Sequence, residues 1–423
     1  MESPESHTSS CPVAPNRTVA LLARAAATAL ALAALLATGV LSQATPADDT
    51  SLYTRDELAA IFRHSPVPPP PADPTNRFAN DARAAAFGQV LFFDKHLSPS
   101  GEISCATCHQ PQHAFTDGRA LAMGLAIGTR HTPTILGAAY NQWYFWDGRT
   151  DSQWSQALEP FENPREFGSD RRYVVESVKR DASLRTSYER IFGPFPSFHE
   201  RLTLDRAYSN LGKAIEAYER KLVVGNSPFD RYVSALRVHD RAGERIISPA
   251  AKRGLKLFAG AANCELCHSG PDFTDGQFHN IGLPLMHGEV ADSGRAEGIR
   301  LLRADPFNGI GAFSDDRTGS VKDRLSFLPA PKSQLGAFKT PSLRNVARIG
   351  PYMHDGRFTT LAQVLAFYAE GKSASRGRLE GTREETLDVI PHLTGQQQAD
   401  LVAFLRTLSD PPLPLALREP PKQ

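Results

Sequence analysis

Two five-residue motifs, "CATCH" and "CELCH", combine two thiols and an imidazole at the same spacing. Their residues are Cys105, Cys108, His109, Cys264, Cys267 and His268. C-x-x-C-H is the attachment signature of c-type haem, because its two thiols can add to the two vinyl groups of a porphyrin. The adjacent imidazole then binds the iron as proximal ligand. The motifs therefore predict two covalently bound haem c groups, with His109 and His268 as the proximal ligands.

Two other chemistries also use paired cysteines. Four cysteines in an exported protein can form two disulfides, and two C-x-x-C pairs can bind zinc. Neither alternative explains why a His directly follows the second Cys of each pair. The fifth cysteine, Cys11, lies in the N-terminal segment, and cleavage of that segment would leave no cysteine unassigned.

The N-terminal segment has the pattern of an export signal. Arg24 precedes an uncharged run of small and apolar residues over 25–41, and the small residues Ser42 and Ala44 fit a cleavage site. We therefore predict a signal peptide over residues 1–44 and a periplasmic location. The alternative is an uncleaved membrane anchor, because the run approaches the roughly 17 residues of the shortest transmembrane helices.

Length, charge and proline content limit the domain organisation and the partners. A chain of 423 residues suffices for two or three domains, each with its own core. With 47 Lys and Arg residues against 46 Asp and Glu residues, there is no basic excess that would indicate a nucleic-acid partner. Residues 45–80 contain "PVPPPPADP", which predicts an exposed, extended, Pro-rich linker rather than core.

Similar segments precede the two motifs and indicate a duplication. "AAAFGQVLFFDKHLSPSGEISCATCH" and "SPAAKRGLKLFAGAANCELCH" each run from a small-residue helix with Gly and "LF" into a loop and then the motif. Helical periodicity is frequent and strand-like alternation is scarce. We predict a mainly α fold with two cytochrome c-like haem domains in tandem and long irregular loops. The predicted N-terminal haem domain covers 81–245, the C-terminal haem domain 246–412, and a tail 413–423.

The stretch "MHDGRFTTLAQVLAFY", residues 353–368, predicts a loop followed by a helix. Thr360 and Gln363 have the spacing of a capping box. The helical face comprises Leu361, Val364, Leu365 and Tyr368. Spacing alone therefore predicts that Tyr368 is a core residue.

Several segments in this order resemble the bacterial di-haem cytochrome c peroxidases and their MauG-like relatives. They include "LFFDKHLSPSGEISCATCH", "AFTDGR", "FWDGRTDS", "QALEPFENPREFG", "FKTPSLRNVARIGPYMHDGRFTTL" and "LVAFLRTLSD". The resemblance covers about residues 80–410. It implies that the N-terminal haem is the peroxidatic one and that the C-terminal haem transfers electrons.

The resemblance also implies roles around the first haem, on His109. Glu166 matches the distal acid of the family, Gln156 its amide partner, and Pro160 the residue that helps to keep the sixth iron position free. Trp146 matches the tryptophan between the haems, a bridge for electrons or holes. A carboxylate beside iron-bound peroxide can move a proton from the near to the far oxygen, so that water leaves. Without the resemblance, Glu166 is a solvated loop acid and Trp146 an ordinary core residue.

Two histidines bear on the state of the first haem and on calcium. Many family members carry a loop His that occupies the peroxidatic iron, but between the first motif and Trp146 this chain has only His113 and His131, and neither is a good match. We expect a first haem that is open without prior reduction, as in the MauG-like branch.

The resemblance also implies a calcium ion between the haems, held by an Asn at the position of His131. Calcium prefers oxygen ligands, so the imidazole argues against it.

For the second haem, on His268, the resemblance implies a sixth ligand on the helix after His354. Counting from His354, that position is Tyr368, as in MauG-like proteins, whereas other members carry Met there. Met286, Met353 and His354 are the other candidates. A phenolate stabilises ferric iron and lowers the potential, whereas a thioether favours ferrous iron.

Two functions remain after this comparison with the family. The first is a periplasmic peroxidase that reduces hydrogen peroxide to water with electrons from a small donor, a c-type cytochrome or a cupredoxin. The second is a MauG-like enzyme that uses peroxide to oxidise side chains of a partner protein through a high-valent di-haem state. Plain electron transfer is disfavoured by Glu166 and Gln156. A homodimer is compatible with the sequence. The polar insertion over 283–335 is compatible with a passive loop or with a surface for docking a partner.

Overall fold

The computed structural model describes Met1 and residues 48–198, 200–285 and 290–421. Except for Met1, the predicted signal peptide lies outside the described residues, as do the first residues of the predicted linker and the candidate ligand Met286. Among the described helices, none has both the length and the apolar composition that a bilayer-spanning segment needs.

The regular structure of the described residues is mainly helical, which confirms the predicted fold class. The α-helices are α1 (Arg55–Arg63), α2 (Ala82–Phe93), α3 (Cys105–Cys108), α4 (Gln153–Glu162), α5 (Arg171–Arg180), α6 (Ala182–Phe192), α7 (Arg201–Glu219), α8 (Pro228–Val238), α9 (Pro249–Ala259), α10 (Arg295–Ala304), α11 (Lys322–Ser326), α12 (Leu361–Glu370) and α13 (Gly395–Arg406). Strands β1 (Phe278–His279) and β2 (Phe338–Lys339) form a small antiparallel pair. Long irregular segments connect these elements.

Each half of the chain contains two crossing helices that meet at a glycine. A Cβ atom on Gly88 of α2 would lie 1.8 Å from the carbonyl oxygen of Ala214 in α7. A Cβ atom on Gly254 of α9 would lie 1.9 Å from the carbonyl oxygen of Asp400 in α13. Any larger residue would push these helices apart. The glycine shared by the two repeated segments therefore makes the same contact twice, as expected for tandem cytochrome c-like domains.

Two hydrophobic cores lie side by side in the structure. The first joins α2 and α4 to α7 around Trp154 and Tyr208. The second joins α1, α8, α9, α12 and α13 around Phe229, Phe258 and Phe404. Each haem motif contributes its first cysteine to the edge of one core. Two cores, each in contact with one haem motif, are consistent with two haem domains in tandem.

The observed boundaries differ from the predicted ones. Helix α1 lies within the predicted linker 45–80, yet it starts at a capping box on Thr54 and buries Ile61 in the second core. The prediction of an exposed linker is therefore wrong for α1. The apolar face of this helix packs against the second core, which the local sequence pattern does not reveal. Helix α8 lies within the predicted first domain 81–245, but Phe229 packs in the second core.

The insertion and the tail both return to the first core. Phe307 and Phe313 of the insertion are buried there. The Lys213 ammonium on α7 donates to the carbonyl of Phe313 at 2.8 Å and to the carboxylate of Asp315 at 2.7 Å. The Tyr218 hydroxyl donates to the carbonyl of Leu417 in the tail at 2.7 Å. Because of these returns, residues 49–423 form one compact unit.

Candidate functional site

The haem motifs begin short helical turns that bring two thiols and an imidazole together. Cys105 starts α3 after a capping box on Ser104, and Cys264 starts a 3-10 turn that ends at Leu266. All four described cysteines are free thiols, so no disulfide forms among them. The geometry therefore leaves the thiols available for thioether bonds, as the motif predicts.

Both predicted proximal histidines have the same hydrogen bond. Nδ1 of His109 lies 3.1 Å from the carbonyl oxygen of Phe115, and Nδ1 of His268 lies 2.9 Å from that of Phe273. Each bond fixes the ring and leaves Nε2 for a metal. Burial lowers the pKa of both imidazoles, which favours the neutral form that binds iron.

The two carbonyl partners belong to a repeat that sequence reasoning missed. "FTDG" occurs at 115–118 and again at 273–276, at nearly the same distance after each motif. Phe115 and Phe273 both adopt positive φ, 59° and 52°. This unusual backbone turns each carbonyl toward the preceding imidazole. The tetrapeptide repeat was the available signal for these positions.

A large apolar cavity lies beside the second motif. Its wall includes Cys264, Cys267 and His268 on one side and Tyr368 on α12 on another. Leucines of α12 and α13 also line the cavity: Leu361, Leu365, Leu401 and Leu405. Thiols, imidazole and apolar walls in this arrangement fit a covalently bound haem.

Tyr368 therefore shares a cavity with the predicted proximal ligand. Burial raises the pKa of its phenol, so the hydroxyl stays neutral unless a cation such as ferric iron binds the phenolate. Helix α12 begins as predicted, since Thr360 and Gln363 form the capping box. Met353 and His354 also line this cavity. Tyr368 therefore lies in the cavity beside the predicted second haem site, and Met353 and His354 remain candidate iron ligands there.

The helix next to the first site is the structural counterpart of α12. Both follow an "DGR" turn closed by an isolated antiparallel bridge, Tyr144 with Thr150 and Tyr352 with Phe358. Helix α4 is capped by Ser152, as α12 is by Thr360. Pro160 stands eight residues after Ser152 (160 − 152), and Tyr368 eight after Thr360 (368 − 360). A ring without donor atoms therefore occupies the position that carries the phenol in the second half.

Glu166 lies after α4 in a turn that shields its carboxyl group. The Asn163 amide donates to Oε1 of Glu166 at 2.6 Å. Burial raises the pKa of Glu166, while the nearby Arg149 guanidinium and the Asn163 hydrogen bond oppose the rise. Gln156, half-buried, lies one turn before Pro160 on α4. Sequence reasoning missed Asn163 and Arg149, although "ENPREFG" and "DGR" contain them.

Trp146 lies where the two halves exchange backbone hydrogen bonds. Its carbonyl accepts from the Lys339 amide at 2.8 Å, and the His354 carbonyl accepts from the His131 amide at 2.7 Å. Lys339 and His354 are the second-half counterparts of His131 and Trp146, so the exchange has approximate two-fold symmetry. The Trp146 indole N–H donates to the His131 carbonyl at 2.9 Å, and Trp146 also lines the second cavity.

The two histidines between the first motif and Trp146 lie in different surroundings. His113 is exposed on a 3-10 turn directly after the motif. His131 is buried, and both of its ring nitrogens face backbone carbonyls. The open first haem stays a prediction.

Comparisons with known proteins show what the chain is similar to. Residues 82–237 match the family described as di-haem cytochrome c peroxidase. The methylamine utilization protein MauG of Methylorubrum extorquens is 33% identical over 385 residues, which cover 89% of this chain and 92% of that protein. The cytochrome-c peroxidase IdrP1 of Denitromonas iodatirespirans is also 33% identical, over 82% of this chain and 89% of that protein.

Solved structures show the same relationship. The di-haem peroxidase BthA of Burkholderia thailandensis superposes with a TM-score of 0.62 at 26% identity, covering 80% of this chain and 89% of that one. A MauG-like protein associated with microbial copper homeostasis has a TM-score of 0.60 at 28% identity, with coverage of 81% and 93%. This family binds two haem groups and acts as oxidoreductases on peroxide. The chain belongs to the di-haem cytochrome c peroxidase and MauG family.

Proposed function

We propose that the chain reduces hydrogen peroxide to water at the haem held by His109, with electrons relayed through the haem held by His268. The observation that carries this proposal is the correspondence of Pro160 and Tyr368. A peroxidase needs one iron with an open sixth position, whereas an electron carrier fills both. Pro160 offers no ligand at the position where Tyr368 offers a phenol, which supports an open iron in the first half.

The proposed proton chemistry uses Glu166. The bound haem supplies the iron that binds peroxide and exchanges electrons. Glu166 takes the proton from the near oxygen and delivers it to the far oxygen, from which the first water leaves. Gln156 holds the peroxide or the departing water through its amide. Two electrons and two further protons complete the conversion of one peroxide into two waters.

The proposed electron path between the haems passes Trp146. The indole lines the second cavity, and its turn is bonded to the opposite half through the Lys339 amide. Because the hydrogen-bond acceptor of the indole N–H is the His131 carbonyl and not a base, oxidation of the ring would not be coupled to proton loss. This arrangement supports a pure electron or hole relay.

The electron source separates two candidate functions. In the first function, a small periplasmic donor, a c-type cytochrome or a cupredoxin, supplies the electrons. In the second function, the electrons come from a partner protein whose side chains are oxidised, as the MauG-like branch implies. Tyr368 favours the second candidate, since a phenolate ligand lowers the potential of the second haem and makes it a poor store for a reducing electron.

Steady-state turnover distinguishes the two. The holoprotein is mixed with a reduced c-type cytochrome or a reduced cupredoxin, and oxidation is followed on addition of hydrogen peroxide. Rapid oxidation of either donor supports the first candidate. Consumption of about one peroxide per chain without donor turnover, leaving a long-lived oxidised di-haem pair, supports the second. Failure to consume peroxide in either assay would contradict both.

We further propose that the chain is exported to the periplasm, cleaved after residue 44, and attached to both haems through thioethers. The uncharged run over 25–41 and the two complete haem motifs support this proposal. Mass spectrometry of protein from the periplasmic fraction is expected to show loss of residues 1–44 and gain of two haem masses. A chain that keeps 25–41 in the membrane fraction, or that loses haem to acidified organic solvent, would contradict the respective part.

A further inference from the structure

The His131 side chain has an arrangement that a neutral imidazole does not satisfy. Its Nδ1 lies 2.7 Å from the carbonyl oxygen of Arg119, and its Nε2 lies 3.2 Å from the carbonyl oxygen of Ile349. The residue is only 4% exposed, so water does not replace either partner. A neutral ring has one N–H and one lone pair, and both partners are acceptors. Only the doubly protonated ring donates to both carbonyls.

These hydrogen bonds connect the two halves of the molecule. Arg119 belongs to the segment after the first haem motif, and Ile349 precedes the second "DGR" turn. The main chain of His131 adds two more bonds, from its amide to the His354 carbonyl at 2.7 Å and from the Trp146 indole to its own carbonyl at 2.9 Å. His131 therefore connects three segments of the chain, those of Arg119, Trp146 and 349–354.

Charged side chains near His131 are paired with one another. The adjacent Arg130 is already paired with Asp147 at 2.6 Å and with Asp292 at 2.8 Å. Burial lowers the pKa of His354 to about 4, so this neighbouring imidazole is neutral near pH 7. The Arg119 side chain is exposed, and only its carbonyl faces the His131 ring.

The donor set does not fit the calcium ion that the family resemblance implies. Calcium binds six to eight oxygen atoms, and the two carbonyl oxygens that converge here are directed at ring nitrogens instead. We infer that the His131 imidazolium takes the place of a metal ion between the haems. The bound proton supplies the positive charge, and the two N–H groups hold the Arg119 and Ile349 segments in register with Trp146. His131 is thus a positioning residue for the relay.

Calcium titration of the holoprotein tests this inference without any substitution. Chelator-treated protein is titrated with calcium chloride in a calorimeter, and electron equilibration between the haems is measured after flash reduction, with and without chelator. We expect no saturable calcium site and no effect of the chelator. One tightly bound calcium ion per chain, whose removal slows equilibration, would overturn the inference. This readout does not depend on peroxide turnover, so its failure is distinguishable from failure of the proposed function.

Substitutions test the role of the two N–H groups. His131→Gln has one donor nitrogen and one acceptor oxygen in place of the two ring nitrogens, and His131→Leu has no donor. We expect inter-haem equilibration to slow by about tenfold in the Gln variant and further in the Leu variant, because small misplacements of reacting groups are costly. His96→Gln is the matched control, since the His96 side chain is 92% exposed. Equilibration at the wild-type rate in both His131 variants, with full haem content, would overturn the positioning role.

Discussion

Pro160 and Tyr368 occupy the same position on corresponding helices, each eight residues after the N-cap of its helix (160 − 152 and 368 − 360). The two halves of the molecule therefore present opposite chemistry at equivalent places. A ring without donor atoms lies on the helix of the first half, and a phenol lies in the haem cavity of the second. This difference is the structural basis for proposing one open iron and one closed iron.

Tyr368→Met is expected to raise the reduction potential of the second haem. A thioether favours ferrous iron, whereas a phenolate favours ferric iron, and axial ligands span a potential range of about 0.8 V. We expect a rise of at least roughly 0.1 V. A redox titration followed by the haem spectrum measures it. Tyr352→Phe, in the same cavity, is the control and should leave the potential unchanged; equal potentials in all three proteins would remove Tyr368 from the iron.

Glu166→Gln is expected to reduce kcat for peroxide by about two to four orders of magnitude, the usual contribution of a general acid-base residue. The substitution preserves shape and removes the proton acceptor. Rapid-mixing kinetics of the holoprotein measures the loss. Glu162→Gln, on α4 with its carboxyl paired to Arg171, is a nearby control. A rate within about threefold of wild type would show that another group moves the proton.

The acidic limb of the pH profile should respond to Asn163. Burial raises the pKa of Glu166, and the Asn163 hydrogen bond lowers it. Since the carboxylate is the form that accepts a proton, kcat/KM for peroxide should fall as pH falls through this raised pKa. Asn163→Ala removes the lowering contribution, so the limb should move to higher pH. A limb that stays in place would mean that Glu166 does not set it.

Glu219 should make the protein less stable as pH rises. It is fully enclosed on α7, where burial raises its pKa from 4.5 to about 7 and the Gln153 amide opposes this. The folded state binds the proton more tightly than the unfolded state. The stability contribution is therefore full below about pH 4.5, is lost as pH rises toward 7, and stays lost above.

Glu219→Gln should therefore stabilise the holoprotein at pH 8 by about 1 to 3 kcal/mol relative to its effect at pH 4.5. Thermal unfolding at the two pH values measures the difference. Glu189→Gln, at an exposed position on α6, is the control. An equal shift of the Glu219 variant at both pH values would contradict the linkage.

Gly88→Ala should destabilise the first half by about 1 to 3 kcal/mol, which is the usual cost of inserting an extra carbon into a well-packed core. The new Cβ would lie 1.8 Å from the Ala214 carbonyl oxygen, so α2 and α7 must separate. Denaturant unfolding of the holoprotein measures the loss. Gly395→Ala has no atom within 4 Å of its new Cβ and should be neutral; a neutral Gly88 variant would show that the helix crossing is adaptable.

Features that depend on neighbouring residues could be predicted from the sequence without the structure. Five contiguous residues define a haem attachment site, and a neighbouring side chain closes the capping box on Thr360, which is present as predicted. The mainly α fold followed from periodicity for the same reason, since a helix is determined largely by residues three and four apart. The "FTDG" repeat is equally local, since both copies are contiguous in the sequence.

Sequence patterns alone therefore predicted the haem motifs, the mainly helical fold and the family. The contacts between distant segments are seen only in the folded chain: the Ile349 carbonyl meets His131, the Lys339 amide meets Trp146, and helix α1 packs in the second core. The physical reason is that burial and hydrogen-bond pairing depend on the partner surface. Helix α1 has an apolar face that becomes core only because the surface of the second core covers it.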